Sequence, residues 1–428
     1  MAQQRLSRRV LSACVGVVAV SMVAAGCGGS SGGSSSGTGA TAKGTKGPIT
    51  WVIGKDNSNV VAPTAQKWND AHPTEKVTVK EQTTDANQQH DDIVQHMQAK
   101  DTSYDVITVD VVWTAEFAAK GWLVPLKGEY AIDTSKLLKP TVNAATYNNT
   151  LYAAPYASDG GMLYYRTDLV KTPPKTLDEM WADCAIAKKN NIGCYAGQFQ
   201  KYEGGTCNAT EAINTFGGKV VDSKGKSTVN SPQSVEGLKM LADHYANGDI
   251  PKEAITYMEE PSRQAFEAGK LLFLRNWPYV YGLAKTDASS KVKDKFAVAP
   301  LPGVSGPGAS TLGGHSFGIG INSKHKATAL AFLKFIEEDA QQKFFMEQGS
   351  LAPVIGSLYS DPTLVAKYPY LPTLLTSITN AVPRPVTPFY PAVSKAIVDN
   401  SYAAMKGDKT PEQAIKDMDA AITAASVG

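Results

Sequence analysis

The stretch LLFLRNWPYVYGLA, Leu271 to Ala284, runs from strand-like apolar residues straight into Arg275, Asn276, Trp277, Pro278 and Tyr279. Two large aromatics beside a guanidinium and an amide either fill a core or face a ligand. Pro278 and the break in the strand that follows favour the ligand. Acids stand at comparable places elsewhere: Asp110 ends the run YDVITV, Asp159 lies in PYASDGG, and Asp56 follows the first β-branched run. Glu259 and Glu260 precede Pro261 in what reads as a loop. Carboxylates, amides and guanidinium groups around a rim, with rings against apolar C–H faces, are the chemistry that holds a polyhydroxylated ligand. Each residue also has a plainer role to set against this. Trp277 could cap a strand within the core, Asp56 could cap the next helix, and Arg384, between prolines in VPRPVTPFY, reads by default as a surface arginine.

No catalytic constellation accompanies these residues. A glycoside hydrolase needs an acid and a base or nucleophile about 5 to 10 Å apart, and spacing identifies no such pair. Asp178 and Glu179, and the run Glu337, Glu338, Asp339, read as solvated helix positions. No G-x-S-x-G elbow leading from a strand into a helix appears, since the pattern occurs only in the Gly/Ser-rich stretch 27–47 and as GHSFG at 314–318, and Walker and H-E-x-x-H motifs are absent from the sequence. His90 and His96 fall on different faces of a predicted helix, which argues against a metal pair, and no cofactor is expected. A captured amino acid would call for an arginine and acid pair around a zwitterion. Several acids with flanking aromatics fit a neutral polyol better, although a peptide, a metal or another solute stays open.

These residues must be held by a framework larger than one ordinary core, since the chain has 428 residues. With 43% hydrophobic and 19% charged residues the composition is globular, and 42 Lys and Arg against 40 Asp and Glu leave no basic surplus for nucleic acid. From Pro48 the pattern alternates: ITWVIG and KVTVKEQ as strands, VAPTAQKWNDAHP and HDDIVQHMQAK as helices, then the strand YDVITVD and a helix over 114–120. Such alternation predicts α/β lobes, each a mainly parallel sheet flanked by helices. A second α/β unit follows, with Ser231 and Pro232 as an N-cap and first helical residue and Gly269 as a helix stop. KATALAFLKFIEEDAQQKFFMEQG reads as an amphipathic helix, and a helical tail is expected from Ala392 to Ser426.

The first residues differ in kind. Arg5, Arg8 and Arg9 precede an apolar run from Val10 to Ala25 that is short for a membrane span, and Ala24, Ala25 and Gly26 lead to Cys27. This is a secretory signal and closely resembles a bacterial lipobox, which implies cleavage before Cys27 and lipidation of its sulfur. Residues 1–26 are thus the signal. Residues 27–47, rich in Gly and Ser, are a flexible tether. Arg8 and Arg9 after Ser7 also resemble a twin-arginine signal, so the export route stays open. Of the remaining cysteines, Cys184 and Cys194 lie at a spacing that staples a helix end to the next strand, which leaves Cys207 over. A zinc site is the weaker reading, because no histidine lies nearby.

YDVITVDVVWTAEFAAKGWLVPL, APYASDGGMLYYRTDLVKTPPKTLDEMW, FEAGKLLFLRNWPY, GGHSFGIGINS and RPVTPFYPAVSKAIVDNSYAAMKGDKTPEQAIKDM, together with the lipobox, resemble segments of the carbohydrate solute-binding proteins of ABC importers, in order and over essentially the whole chain after Pro48. The trehalose- and maltose-binding branch is the most similar. The resemblance implies a two-lobed periplasmic-binding-protein fold of type II, with crossing strands near 155–161 and 313–319 and a cleft between the lobes. The lobes would be 48–157 with 317–352 and 158–316 with 353–428. It implies ligand contacts from Asp56, Asp110, Asp159, Tyr202 in KYEGG, Glu259 rather than Glu260, Trp277, Tyr279, Gly314, His315 and Arg384. Trp277 would lie against a sugar ring, and the fork of Arg384 would make two hydrogen bonds at once. His315 departs from the pattern, because trehalose and maltose binders carry tryptophan there. The implied function is capture without chemistry. A lipid-anchored monomer on the extracytoplasmic face of the membrane would hand a disaccharide or short oligosaccharide to permease subunits.

Overall fold

A computed structural model of the chain describes residues 44–222 and 224–425. The expected signal segment with Cys14, the expected lipidation site Cys27, most of the expected tether and Ser426 lie outside the described residues. The strands are β1 (Ile49–Ile53), β2 (Val77–Glu81), β3 (Val106–Asp110), β4 (Thr146–Tyr147), β5 (Thr150–Leu151) and β6 (Ala153–Gly160). Then come β7 (Met162–Arg166), β8 (Gly193–Ala196), β9 (Leu271–Asn276), β10 (Phe296–Pro300) and β11 (Leu312–Ile319). One five-stranded sheet has the order β2-β1-β3-β11-β6, a four-stranded sheet has the order β10-β7-β9-β8, and β4 and β5 form a small hairpin.

Both sheets are mixed, which corrects the expectation of mainly parallel ones. β1 pairs in parallel with β2 and β3, because the helices Val61–Ala71 and Ala86–Gln98 return the chain to the same end. β11 is antiparallel to both β3 and β6, and β7 is antiparallel to both β9 and β10. In each sheet the strand that runs against its neighbours is the one that arrives from the other sheet: β7 continues β6 through Gly161, and β11 follows β10. β6 and β11 lie along their whole length in the five-stranded sheet, so positions 157/158 and 316/317 fall inside these strands.

Each sheet has its own core. Trp51 of β1 meets Phe317 of β11 edge-on at 5.2 Å and Phe332 at 5.4 Å, while Tyr156 of β6 stacks on Phe317 at 4.5 Å. On the four-stranded sheet Tyr164 packs on Phe266 and Phe296. Ser231 caps the helix Pro232–Ala246 by accepting from the Ser234 N–H, with Pro232 at the first helical position as expected. Gly269, with φ 74°, takes the left-handed turn after the helix Glu259–Glu267.

Three local expectations are overturned. The long helix over 326–349 is two, Lys326–Ile336 and Asp339–Gly349. A straight helix would hold Phe345 about 20 Å from Phe332, whereas the turn at Glu337 and Glu338 brings both into one core cluster. The tail is likewise two helices, Tyr390–Lys406 and Pro411–Ala425, broken where Gly407 adopts φ 78°. Folding back lets Ile397 share a cluster with Ile415, Met418 and Ile422. Glu337 is buried rather than solvated, and burial pushes its carboxyl up to about 8, with Lys136 opposing and Asp133 adding to the shift.

Cys184 and Cys194 form a disulfide between the helix Cys184–Lys189 and β8, while Cys207 is a free, buried thiol. A short closed loop removes only a modest share of unfolded-chain entropy. Replacing both bonded cysteines by serine is expected to lower unfolding free energy by about 2 to 3 kcal/mol in urea titrations. Ligand affinity should stay unchanged, because the bridge lies away from the cavity described next.

Candidate functional site

A cavity of about 380 Å³ lies where the C-terminal ends of β1 and β3 meet the crossing strands, the end of β9 and two helix N-termini. Its wall includes Asp56, Asp110, Asp159, Gly314 and His315 from the five-stranded sheet and its loops. Tyr202, Glu259, Trp277, Tyr279 and Arg384 complete it from the other side. Every position singled out from the sequence as ligand-facing therefore borders one space.

On the β1 side, Asp56 accepts hydrogen bonds from the Ser58 N–H at 3.0 Å and the Val61 N–H at 2.8 Å. Val60, not Asp56, is the N-cap of the helix Val61–Ala71, but Asp56 satisfies the first helical N–H and the same carboxylate borders the cavity. Asp110 ends β3 and accepts from the Val112 N–H at 3.2 Å and, through the same oxygen, from Arg384 Nη2 at 3.4 Å. Its second oxygen is unengaged. Arg384 is buried, which overturns the default of a surface arginine. Its proline-flanked strap is pinned to the start of β11 by the Val382 N–H to Ser310 and the Leu312 N–H to Val382, at 2.8 and 3.0 Å. That pinning turns the guanidinium inward onto Glu203, while its Nε is left buried without a partner.

Glu203, beside Tyr202 in KYEGG, is not among the residues that the sequence marks as ligand-facing. Besides Arg384 it accepts from the Tyr390 hydroxyl, and from Ser394 Oγ at 2.5 Å. Burial raises its carboxyl above the ordinary range, and Arg384 opposes that rise. The available signal was its position as the first residue of the helix Glu203–Thr215, directly after Tyr202. Carboxylates are favoured there by the helix dipole.

Glu259 and Glu260 lie in the first turn of the helix Glu259–Glu267, not in a loop, because Pro261 is tolerated in a first helical turn where no intrahelical N–H is needed. The Tyr202 hydroxyl donates to Glu259 Oε2 at 2.6 Å, and the Tyr279 hydroxyl donates to Glu260 Oε1 at 2.6 Å. Glu260 is also held by Arg263 at 2.7 Å. Burial raises the Glu259 carboxyl, with the Tyr202 bond opposing. Trp277 is half-buried with its ring on the Arg275 guanidinium, 3.8 Å from centroid to Cζ. It is not a core cap.

The crossing strands complete the wall. Gly314 has φ 109°, and a Cβ there would meet the Ala157 carbonyl oxygen at 2.3 Å, so only glycine fits. The register slips between His315 and Ser316. Asp159 and His315 are half-buried, and neither side chain makes a hydrogen bond to protein. Burial pushes the Asp159 carboxyl up to about 6, with Asp110 adding to the rise and His315 and Arg275 opposing it. Chemically, the site offers unspent carboxylate acceptors at Asp110 and Asp159 beside aromatic faces. Among the described residues no group of three or more His, Cys, Asp or Glu is placed to hold a metal ion, and no helix is long and apolar enough to cross a membrane.

Residues 53–343 match the family model of the bacterial extracellular solute-binding proteins. The chain belongs to that family. A probable ABC transporter-binding protein of Deinococcus radiodurans is 34% identical over 353 residues, covering 76% of this chain and 80% of the relative. The structure of maltose-bound T. maritima MalE3 is similar at a TM-score of 0.83 and 32% identity, covering 88% of this chain and 98% of that one. A solute-binding protein from Thermotoga lettingae bound with alpha-D-tagatose shares the fold at a TM-score of 0.79 and 23% identity, covering 89% and 100%. The solute-binding protein thus has the two-lobed type II periplasmic-binding-protein fold.

Asp159 makes this cavity pH-dependent in stability. Its folded value, about 6, lies above the ordinary aspartate value of 3.8. Below about pH 4 the group is protonated in both states and costs nothing. Above about 6 it is ionised in both, and the folded state carries a penalty of about 3 kcal/mol. Asp159→Asn is expected to raise the melting temperature at pH 7.5 and to leave it unchanged at pH 4. Paired thermal melts check this, and equal shifts at the two pH values would contradict it.

Proposed function

We propose that the protein is a lipid-anchored receptor on the extracytoplasmic face of the membrane. It captures a sugar, an α-glucosyl disaccharide such as trehalose, and delivers it as a monomer to the permease subunits of an ABC importer. The observation that carries this reading is the cavity itself, in which the rings of Trp277 and Tyr279 stand beside the carboxylates of Asp110, Asp159 and Glu259. Carboxylates accept from hydroxyls on a sugar's edge while a ring covers its apolar face, a contact worth about 0.5 to 1.5 kcal/mol beyond its buried area. The maltose-bound relative supports a disaccharide, and membership of an extracellular family supports the exported state.

The proposed lobes are 48–157 with 317–352 and 158–316 with 353–428, each supplying part of the wall. The open form binds through one set of contacts, closure adds the other, and the ligand shifts the population by its differential affinity for the closed form. Capture needs no bond breaking, so the protein acts without catalysis. His315 in place of a larger ring gives up one stacking surface, and this sets the choice of sugar apart from that of tryptophan-bearing relatives.

The test is a thermal-shift panel of trehalose, maltose, sucrose, cellobiose, glucose, amino acids and a peptide mixture against residues 48–428. At 100 times its dissociation constant a ligand stabilises the fold by about 2.7 kcal/mol. One disaccharide should give that shift and remain intact by chromatography. Cleavage of the sugar would favour a hydrolase, and a shift from amino acids or peptides alone a different solute. Trp277→Ala and Asp110→Ala should each weaken sugar binding at least about tenfold, or roughly 1.4 kcal/mol, with the fold intact by circular dichroism. Unchanged affinity in both variants would remove the cavity assignment.

A further inference from the structure

Beneath the ligand-facing wall lies a charged pair that the capture chemistry does not use. Arg275, on β9, is wholly buried, and its guanidinium is held by Glu211 through Nε at 2.7 Å and Nη2 at 2.5 Å. Its Nη1 donates to Gln198 at 2.9 Å. Gln198 in turn donates to the Arg275 carbonyl at 3.1 Å and to Ser262 at 3.0 Å. The fork is therefore fixed in plane and direction. The ring of Trp277 lies on that plane, with its centroid 3.8 Å from Cζ.

The same pair touches both strand-to-strand connections between the sheets. Glu211 Oε1 accepts from the Thr311 N–H at 3.0 Å, immediately before β11. At the other connection, Gly161 joins β6 to β7, and a Cβ there would stand 2.8 Å from Glu211 Oε1 and 2.9 Å from Arg275 Nη2. The Gly161 N–H donates to Ser310 Oγ at 2.6 Å, which ties the two connections to each other. The outer edge of the Trp277 ring meets the second crossing directly, since a Cβ on Gly313 would stand 2.9 Å from its Cζ3. One buried ion pair thus contacts the aromatic face and both strand-to-strand connections between the sheets, β6 to β7 and β10 to β11.

We infer that Arg275 is a positioning residue whose pair with Glu211 ties the Trp277 ring to both crossing connections, so that the ring and the lobes cannot change position independently. A ligand pressed on the ring then acts on the hinge through one rigid unit, and a change at the hinge alters the ring. This rests on the reading of Trp277 as ligand-facing. Ion pairs of this kind hold their geometry because moving either partner leaves an uncompensated buried charge.

The test perturbs the connections and reads the ring. Gly161→Ala crowds the pair, and Ser310→Ala is the milder change that frees the Gly161 N–H; neither residue lines the cavity. Emission from Trp277 is taken as the difference between each protein and its Trp277→Phe counterpart. Without ligand, both variants should shift that emission. With maltose, or with whichever sugar shifts the wild-type melt most, Gly161→Ala should weaken binding about tenfold at a temperature well below melting. In a Trp277→Ala background the same substitution should cost no further affinity, because its effect runs through the ring. Unchanged emission in both variants, or a full additive loss in the Trp277→Ala background, would overturn the inference and leave the pair a structural one. If no sugar binds the wild type, the sugar reading fails, and the ligand-free emission still decides this one. Should Gly161→Ala not fold, Ser310→Ala alone decides by its emission.

Discussion

The antiparallel pairing of β6 with β11 is the constraint on which the rest depends. From Leu312 opposite Gly160 to Gly318 opposite Ala153, it joins two segments that carry the chain between the sheets. Backbone hydrogen bonds supply the ladder, so the side chains along it are free of any duty to hold it together. The cavity uses that freedom. Asp159, Gly314 and His315 all stand on these strands, and Gly313 is small enough for the Trp277 ring to lie against it.

Charge around the cavity follows a second rule, that a buried carboxylate needs a partner. Asp110 and Glu203 share Arg384, Glu260 has Arg263 and Tyr279, and Glu259 has Tyr202. Asp56 is held by backbone N–H groups. The Asp159 carboxylate stands apart, with neither an ion pair nor a hydrogen bond, and its raised value is what burial does to a carboxylate left without such a partner. A ligand hydroxyl donated to Asp159 would supply what the fold leaves out. Stability given up at one residue is thus available as binding chemistry at that residue, a common relation at functional sites.

Much of this was legible because it is local. β-branched runs, the Ser231 cap, the Gly269 stop and the Cys184–Cys194 bridge each depend on neighbours in sequence, and the structure has each of them. The positions at which acids and aromatics follow strand ends were legible for the same reason: a strand end carries its last side chain to the sheet's edge, whatever the edge faces. The breaks at Glu337 and Gly407 were not, because an amphipathic pattern continues across a turn when both helices pack on one core. The parallel reading of the sheets failed at β7 and β11, which enter their sheets from the other one rather than through a local crossover helix.

The sequence by itself determined the residue types at the cavity, the family they resemble and the local elements that carry them, since these are properties of short stretches. Only the tertiary structure decided that Arg384 is buried rather than solvent-facing, that Glu203 is its main partner, that Glu337 is desolvated and that Arg275 lies beneath Trp277. Those facts join residues such as Glu211 and Arg275, or Glu203 and Arg384, that lie far apart along the chain. The energy of a buried charge is set by what surrounds it in space, and one sequence read along its length contains no measure of that distance.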